Sequence, residues 1–138
     1  MHPFAEAQLI IWSLENALLD GIVDYNTQNN IFPQKGILDT IFMLYRRGSK
    51  QAICSKNRYL SNKDYLYVHR ILQDHHIPMQ LIETVVINSS FDESYMIESI
   101  CSIVEVDITR AVFVSNSSEE RQVVEIALGI NTTKFMPF

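Results

Sequence analysis

The chain has 138 residues, 47% of them hydrophobic and 20% charged, with a net charge of −5. That is the size of one domain, residues 1–138 as a single unit, with ample apolar material for one core. A mildly acidic balance speaks against a nucleic-acid surface, which needs clustered Lys and Arg, and the apolar runs are too short to span a bilayer.

Strand and helix signals alternate from end to end. Residues 8–12 read as a buried strand, rich in Leu and Ile. A polar loop is expected over 26–30. Pro33 precedes a helical pattern over 35–47 with Ile37, Leu38, Ile41, Phe42 and Leu44 on one stripe, and Gly48 closes it. Residues 51–54 form a second short strand. Ser61-Asn62-Lys63-Asp64 opens a helix whose apolar face is Tyr65, Val68, Ile71 and Leu72. A third strand is predicted over 82–87 and a third helix over 92–104. A fourth strand over 111–114 leads into a fourth helix over 117–128, closed by Gly129. An edge strand is expected over 131–135.

Four strand–helix units with short connections predict an α/β, Rossmann-like three-layer sandwich with a mainly parallel sheet. In such sheets ligands bind beyond the carboxyl ends of the strands. The segments of interest are therefore 13–20, 55–57, 88–93 and 115–120.

Those segments carry a pattern. Trp12-Ser13-Leu14-Glu15-Asn16-Ala17-Leu18-Leu19-Asp20-Gly21 is similar to W-D-L-D-N-T-L-W-D-G. Ala52-Ile53-Cys54-Ser55-Lys56-Asn57 is similar to A-I-A-S-K-N. Val112-Phe113-Val114-Ser115-Asn116-Ser117-Ser118-Glu119-Glu120-Arg121 is similar to V-F-I-D-D-N-P-x-E-R. In this order they resemble the motifs of the haloacid dehalogenase-like superfamily, closest to its FkbH-like and magnesium-dependent phosphatase branch. The resemblance covers nearly the whole chain and implies a capless member of that fold.

It also implies a chemistry. The first Asp of the first motif attacks a phosphoryl group, and the second serves the leaving group and water as acid and base. A hydroxyl and a Lys hold the phosphoryl oxygens, and carboxylates of the last motif bind magnesium. Carried over by position, Ser13 stands at the nucleophile and Glu15 at the acid/base. Ser55 keeps the hydroxyl, Glu93 falls nearest the Lys, and Ser115 and Asn116 replace the metal-binding pair. Ser13, Ser115 and Asn116 are thus neutral at all three metal-anchoring positions. A nucleophilic Ser13 needs an adjacent base, and no His lies in the four segments. The expectation is a pseudoenzyme with no cofactor, acting as a protein-interaction or regulatory module by way of a protein partner or self-association, with a link to carrier-protein-dependent biosynthesis conceivable by analogy. No nucleic acid or membrane partner is expected. The alternative is a residual phosphatase or glyceryl- or phosphoryl-transfer enzyme using Glu15 and Ser55, with magnesium. A third reading is a small-ligand sensor for an uncharged or zwitterionic molecule.

Other residues have plainer readings. Ser13 suits a loop position capping backbone amides. Ser55 and Lys56 are candidates for holding an anion. Asp20 and Asp24 shape loops. Glu119 and Glu120 complement a helix N-terminus, and His75 with His76 a C-terminus. Tyr45, Tyr59, Tyr65 and Tyr67 are packing or partner residues. The apolar tail from Phe135 docks on its own domain or on a second chain. Cys54 and Cys101 lie in apolar stretches and read as buried free thiols. The first six residues lack the basic and apolar regions of a secretory signal. Together these point to the cytoplasm.

Overall fold

The run Leu9–Ser13 forms β1 and is buried along its whole length. A strand covered on both faces needs apolar side chains at odd and even positions alike, which this run supplies. The computed structural model describes residues 4–25, 31–90 and 92–137, and the polar loop expected over 26–30 lies outside them. Strands β4 (Lys50–Ser55), β5 (Thr84–Ile87), β6 (Ala111–Val114) and β7 (Asn131–Thr133) join β1 in the order β5-β4-β1-β6-β7. Every pairing in this sheet is parallel. A two-stranded antiparallel ribbon, β2 (Leu19–Asp20) with β3 (Phe32–Pro33), stands apart from it.

Helices α1 (Ile37–Arg46) and α2 (Tyr65–Asp74) cover one face, and α3 (Glu93–Val104) and α4 (Ser118–Leu128) the other. Alternation along β1 divides the core between them. Ile10 and Trp12 pack with Ile41 and Leu44 of α1 and Val68 and Leu72 of α2. Leu9 and Ile11 pack with Ile97 and Ile100 of α3 and Val124 of α4. The architecture is the expected three-layer, Rossmann-like α/β sandwich. Cys54 and Cys101 are buried and free, both in the α3–α4 layer.

The predicted elements all form, with displaced ends. Asp92 and Ser117 are not helical residues. They cap α3 and α4 instead, accepting the N–H of Tyr95 and of Glu120 at a side-chain oxygen. The third strand starts at Thr84, because Met79–Leu81 winds into a 3₁₀ turn. The last strand stops at Thr133. Beyond it Phe135 turns inward, its ring 5.8 Å from that of Trp12. Of the two destinations open to the tail, this residue takes its own core.

Two features escape the sequence pattern. Leu14–Leu18, directly after β1, is a π-helical turn closed by the Leu19 N–H on the Leu14 carbonyl. The β2–β3 ribbon follows it. The wide turn buries Leu14, Ala17 and Leu18 while leaving Glu15 and Asn16 half-buried at the carboxyl end of the sheet.

Candidate functional site

The chain leaves β1 for β4 on one side and returns to β6 on the other, so the strand order reverses around β1. This is where open α/β sheets place ligands. Three serines mark the place: Ser13 and Ser55 end β1 and β4, and Ser115 follows β6. All three are buried.

Their hydroxyls point at two carboxylates. Ser13 Oγ donates to Glu120 Oε1 at 3.1 Å, and Ser115 Oγ donates to the same oxygen at 2.7 Å. Asn16 Nδ2 donates to Glu120 Oε2 at 2.7 Å. On the other side Ser55 Oγ donates to Glu15 Oε1 at 2.8 Å, while Asn57 Nδ2 and the Val23 N–H reach Glu15 Oε2 at 2.6 and 3.3 Å. Asn57 also donates to the Val23 carbonyl, and its Oδ1 accepts the Tyr59 N–H. Each carboxylate is therefore held by neutral donors, from its own neighbourhood and from distant parts of the chain.

Glu120 overturns the reading of its helix turn as a dipole complement alone. Glu119 is exposed, but Glu120 is the hub of the site. Its position in the first turn of α4, just after β6, lets its side chain reach back to the end of β1. Ser13 does not cap backbone amides. Its side chain makes no such bond at the turn it precedes, and it spends its hydroxyl on Glu120. Asn116 is absent from this constellation. It is exposed, and its Oδ1 accepts the Phe135 N–H at 2.9 Å, anchoring the tail. Lys56, the other anion-binding candidate, is exposed and follows buried Ser55 directly.

A third carboxyl group completes the cluster. Glu93, at the start of α3, is hydrogen-bonded to Glu120. Burial, then the Glu120 charge and that hydrogen bond, push the Glu93 carboxyl up to about 8, against the opposing pull of Lys56. Burial raises Glu15 as well, countered by its hydrogen bonds from Ser55, Asn57 and Val23. The position nearest the expected Lys thus holds a carboxyl group whose proton affinity is raised by burial and by Glu120.

A cavity of about 370 Å³ opens beside these groups. Half-buried Glu15, Asn16 and Glu120 form its inner wall, and exposed Lys56, Arg58 and Tyr59 its mouth. Arg58 lies over the Tyr59 ring, 4.9 Å from its centroid.

No family model and no curated protein matches the chain. Solved structures do. The N-terminal part of a Bacteroides fragilis protein, containing a phosphatase domain and complexed with Mg, matches over 92% of this chain and 35% of its own, with a TM-score of 0.76 at 21% identity. A second protein from that organism, described as a haloacid dehalogenase-like hydrolase, matches over 93% and 87%, with a TM-score of 0.72 at 9% identity. The fold is haloacid dehalogenase-like. The cobalt-bound deoxy-D-mannose-octulosonate 8-phosphate phosphatase of Haemophilus influenzae matches over 97% and 70%, with a TM-score of 0.63 at 15% identity. The likeness is one of fold, and the chain spans about a third of the first of these proteins.

The haloacid dehalogenase-like fold implies magnesium, and the donor set of this chain does not fit it. Magnesium takes near-octahedral oxygen ligands anchored by carboxylates. The Ser13 and Ser115 hydroxyls turn their hydrogens toward Glu120, and Asn116 turns its oxygen to the tail. Among the described residues no group of three or more His, Cys, Asp or Glu is arranged to hold an ion.

Proposed function

We propose that the chain is a haloacid dehalogenase-like module without phosphoryl-transfer chemistry, acting through a protein partner or through a second copy. One observation carries the reading: Glu120 Oε1 accepts both the Ser13 and the Ser115 hydroxyls. An internal carboxylate thus stands between the two positions from which a cation would be held, and the hydroxyl that replaces the nucleophile is engaged with it. A phosphoryl oxyanion approaching Ser13 meets the negative end of Glu120 and Glu15 instead of a neutralising ion.

The surface around the crevice supports a partner. Ile22 and Tyr59, which line the cavity, are exposed large apolar residues, and so are Tyr25, Phe32 and Tyr65. Tyr25 stacks on Tyr67 with ring centroids 4.5 Å apart and donates to Asp64, which ties the two segments together. Rigid exposed Tyr is favoured at interface hot spots. Within the same reading the motif resemblance favours the FkbH-like branch and a role beside carrier-protein-dependent biosynthesis, and the free thiols Cys54 and Cys101 favour a cytoplasmic location. Among the described residues no helix is long and apolar enough to cross a membrane.

The test is hydrolysis of p-nitrophenyl phosphate in the presence of magnesium. The expected result is no release above buffer. Turnover that disappears in Ser13→Ala or Glu15→Gln overturns the proposal in favour of a residual phosphatase.

A further inference from the structure

The cavity beside β1 carries charge of one sign on its inner wall and of the other at its mouth. Glu15 and Glu120 face it from within, and Lys56 and Arg58 stand at its opening. The Arg58 guanidinium lies over Tyr59 and donates to its hydroxyl at 2.6 Å, its one hydrogen bond to another side chain among the described residues, so most of its N–H fork is open to a ligand from that side. Asn57, between Lys56 and Arg58 in sequence, is tied by its amide to Glu15 and to the Val23 carbonyl. The loop that carries the cations is therefore anchored to the acidic wall.

Among the described residues, the hydrogen-bond partners of Glu15 and Glu120 are serine hydroxyls, asparagine amides, a backbone N–H and the Glu93 carboxyl. Such donors solvate a carboxylate without cancelling its charge, so the inner wall keeps a negative field focused by low-dielectric surroundings. Among the described residues, Glu15 Oε1 takes a hydrogen bond from Ser55 alone. An sp² oxygen has room for a second.

We propose that this cavity binds a small zwitterion, with its ammonium group inward against Glu15 and Glu120 and its anionic group outward between Lys56 and Arg58. A simple anion meets the cations at the mouth and is repelled by the wall behind them. A simple amine meets the wall and is repelled at the mouth. A molecule carrying both charges matches both ends, and its apolar stem lies along Tyr59 and Ile22, which also line the cavity. The inference rests on the reading of the crevice as disarmed for phosphoryl transfer, since a resident magnesium ion would occupy the space of the ammonium group.

The experiment is calorimetric titration of the full chain at low salt with 2-aminoethyl phosphate, and in parallel with its two halves, ethyl phosphate and ethylamine. The expected result is binding of 2-aminoethyl phosphate at least about tenfold tighter than either half, a difference of roughly 1.4 kcal/mol. Arg58→Ala, an exposed position that leaves the core untouched, is expected to lose that preference over ethylamine. Glu15→Gln is expected to lose the preference over ethyl phosphate. Ethyl phosphate binding as tightly as 2-aminoethyl phosphate, or no heat from any of the three, overturns the inference. Release of inorganic phosphate in the same samples would overturn the proposed function instead, so the two readings fail separately.

Discussion

The Ser13 hydroxyl and the Glu120 carboxylate, 107 positions apart, meet at 3.1 Å across the carboxyl end of the sheet. The bond joins the end of β1 to the first turn of α4. With Ser115 and Asn16 on the same carboxylate, it makes Glu120 a structural clasp.

Removing the clasp should cost stability. Glu120→Ala leaves two buried hydroxyls and an amide without their acceptor, and a cost of about 1–3 kcal/mol is expected. Ser13→Ala should cost less, about 1 kcal/mol, because Glu120 keeps its other donors. Urea unfolding of the three proteins checks the ranking. Equal stability of wild type and Glu120→Ala would show that the carboxylate does not organise the site.

Magnesium should leave the wild-type melting temperature where chelator leaves it. The double variant Ser13→Asp, Ser115→Asp should behave oppositely. In EDTA it should melt below wild type, since two new carboxylates face Glu120. Magnesium should then raise its melting point, by the equivalent of about 2.7 kcal/mol at a hundredfold excess over the dissociation constant. Differential scanning calorimetry with and without metal reads both arms. A wild-type rise as large as the variant's would contradict the assignment of Ser13 and Ser115 as metal-free positions.

Stability should fall as pH rises across the Glu93 titration. Its carboxyl binds a proton more tightly in the folded chain, up to about 8, than at its ordinary 4.5. The folded state therefore holds more protons than the unfolded state between those limits. The contribution is whole below 4.5 and gone once pH has passed about 8. Glu93→Gln keeps a donor toward Glu120 at every pH and should flatten the slope, leaving the trend of Glu15, which is raised in the same direction. Denaturant midpoints from pH 5 to pH 9 measure it. A wild-type midpoint that rises over this range would refute the sign.

Trp12 offers a readout in the core. Its indole N–H donates to Gln51 Oε1 at 3.0 Å, and Gln51 Nε2 donates to the Ile41 carbonyl at 3.0 Å, all fully buried. Gln51→Leu strands the indole N–H, with an expected cost of about 1–3 kcal/mol. Trp12 is the sole tryptophan, so its fluorescence follows the unfolding directly.

Much of this architecture is written in short-range pattern. The Leu-Ile run of β1, the Ile37, Ile41 and Leu44 stripe of α1 and the closing Gly129 each act within a few residues, so period and propensity reveal them. Ser13, Glu15, Ser55 and Ser115 could be placed at one sheet end because strand–helix alternation puts every strand's carboxyl end on the same side. The π-helical turn and the β2–β3 ribbon were not legible. Both arise where the chain must leave β1 and still bury Leu14, Leu18 and Leu19, a demand made by the packed layers and not by local preference. Glu120 is the sharpest case. An acid in the first turn of a helix satisfies the helix dipole whatever stands opposite it. Only the packing of α4 beside β6 and β1 brings Ser13, Asn16 and Ser115 within hydrogen-bond reach, and long-range geometry of that kind leaves no periodic mark in the chain.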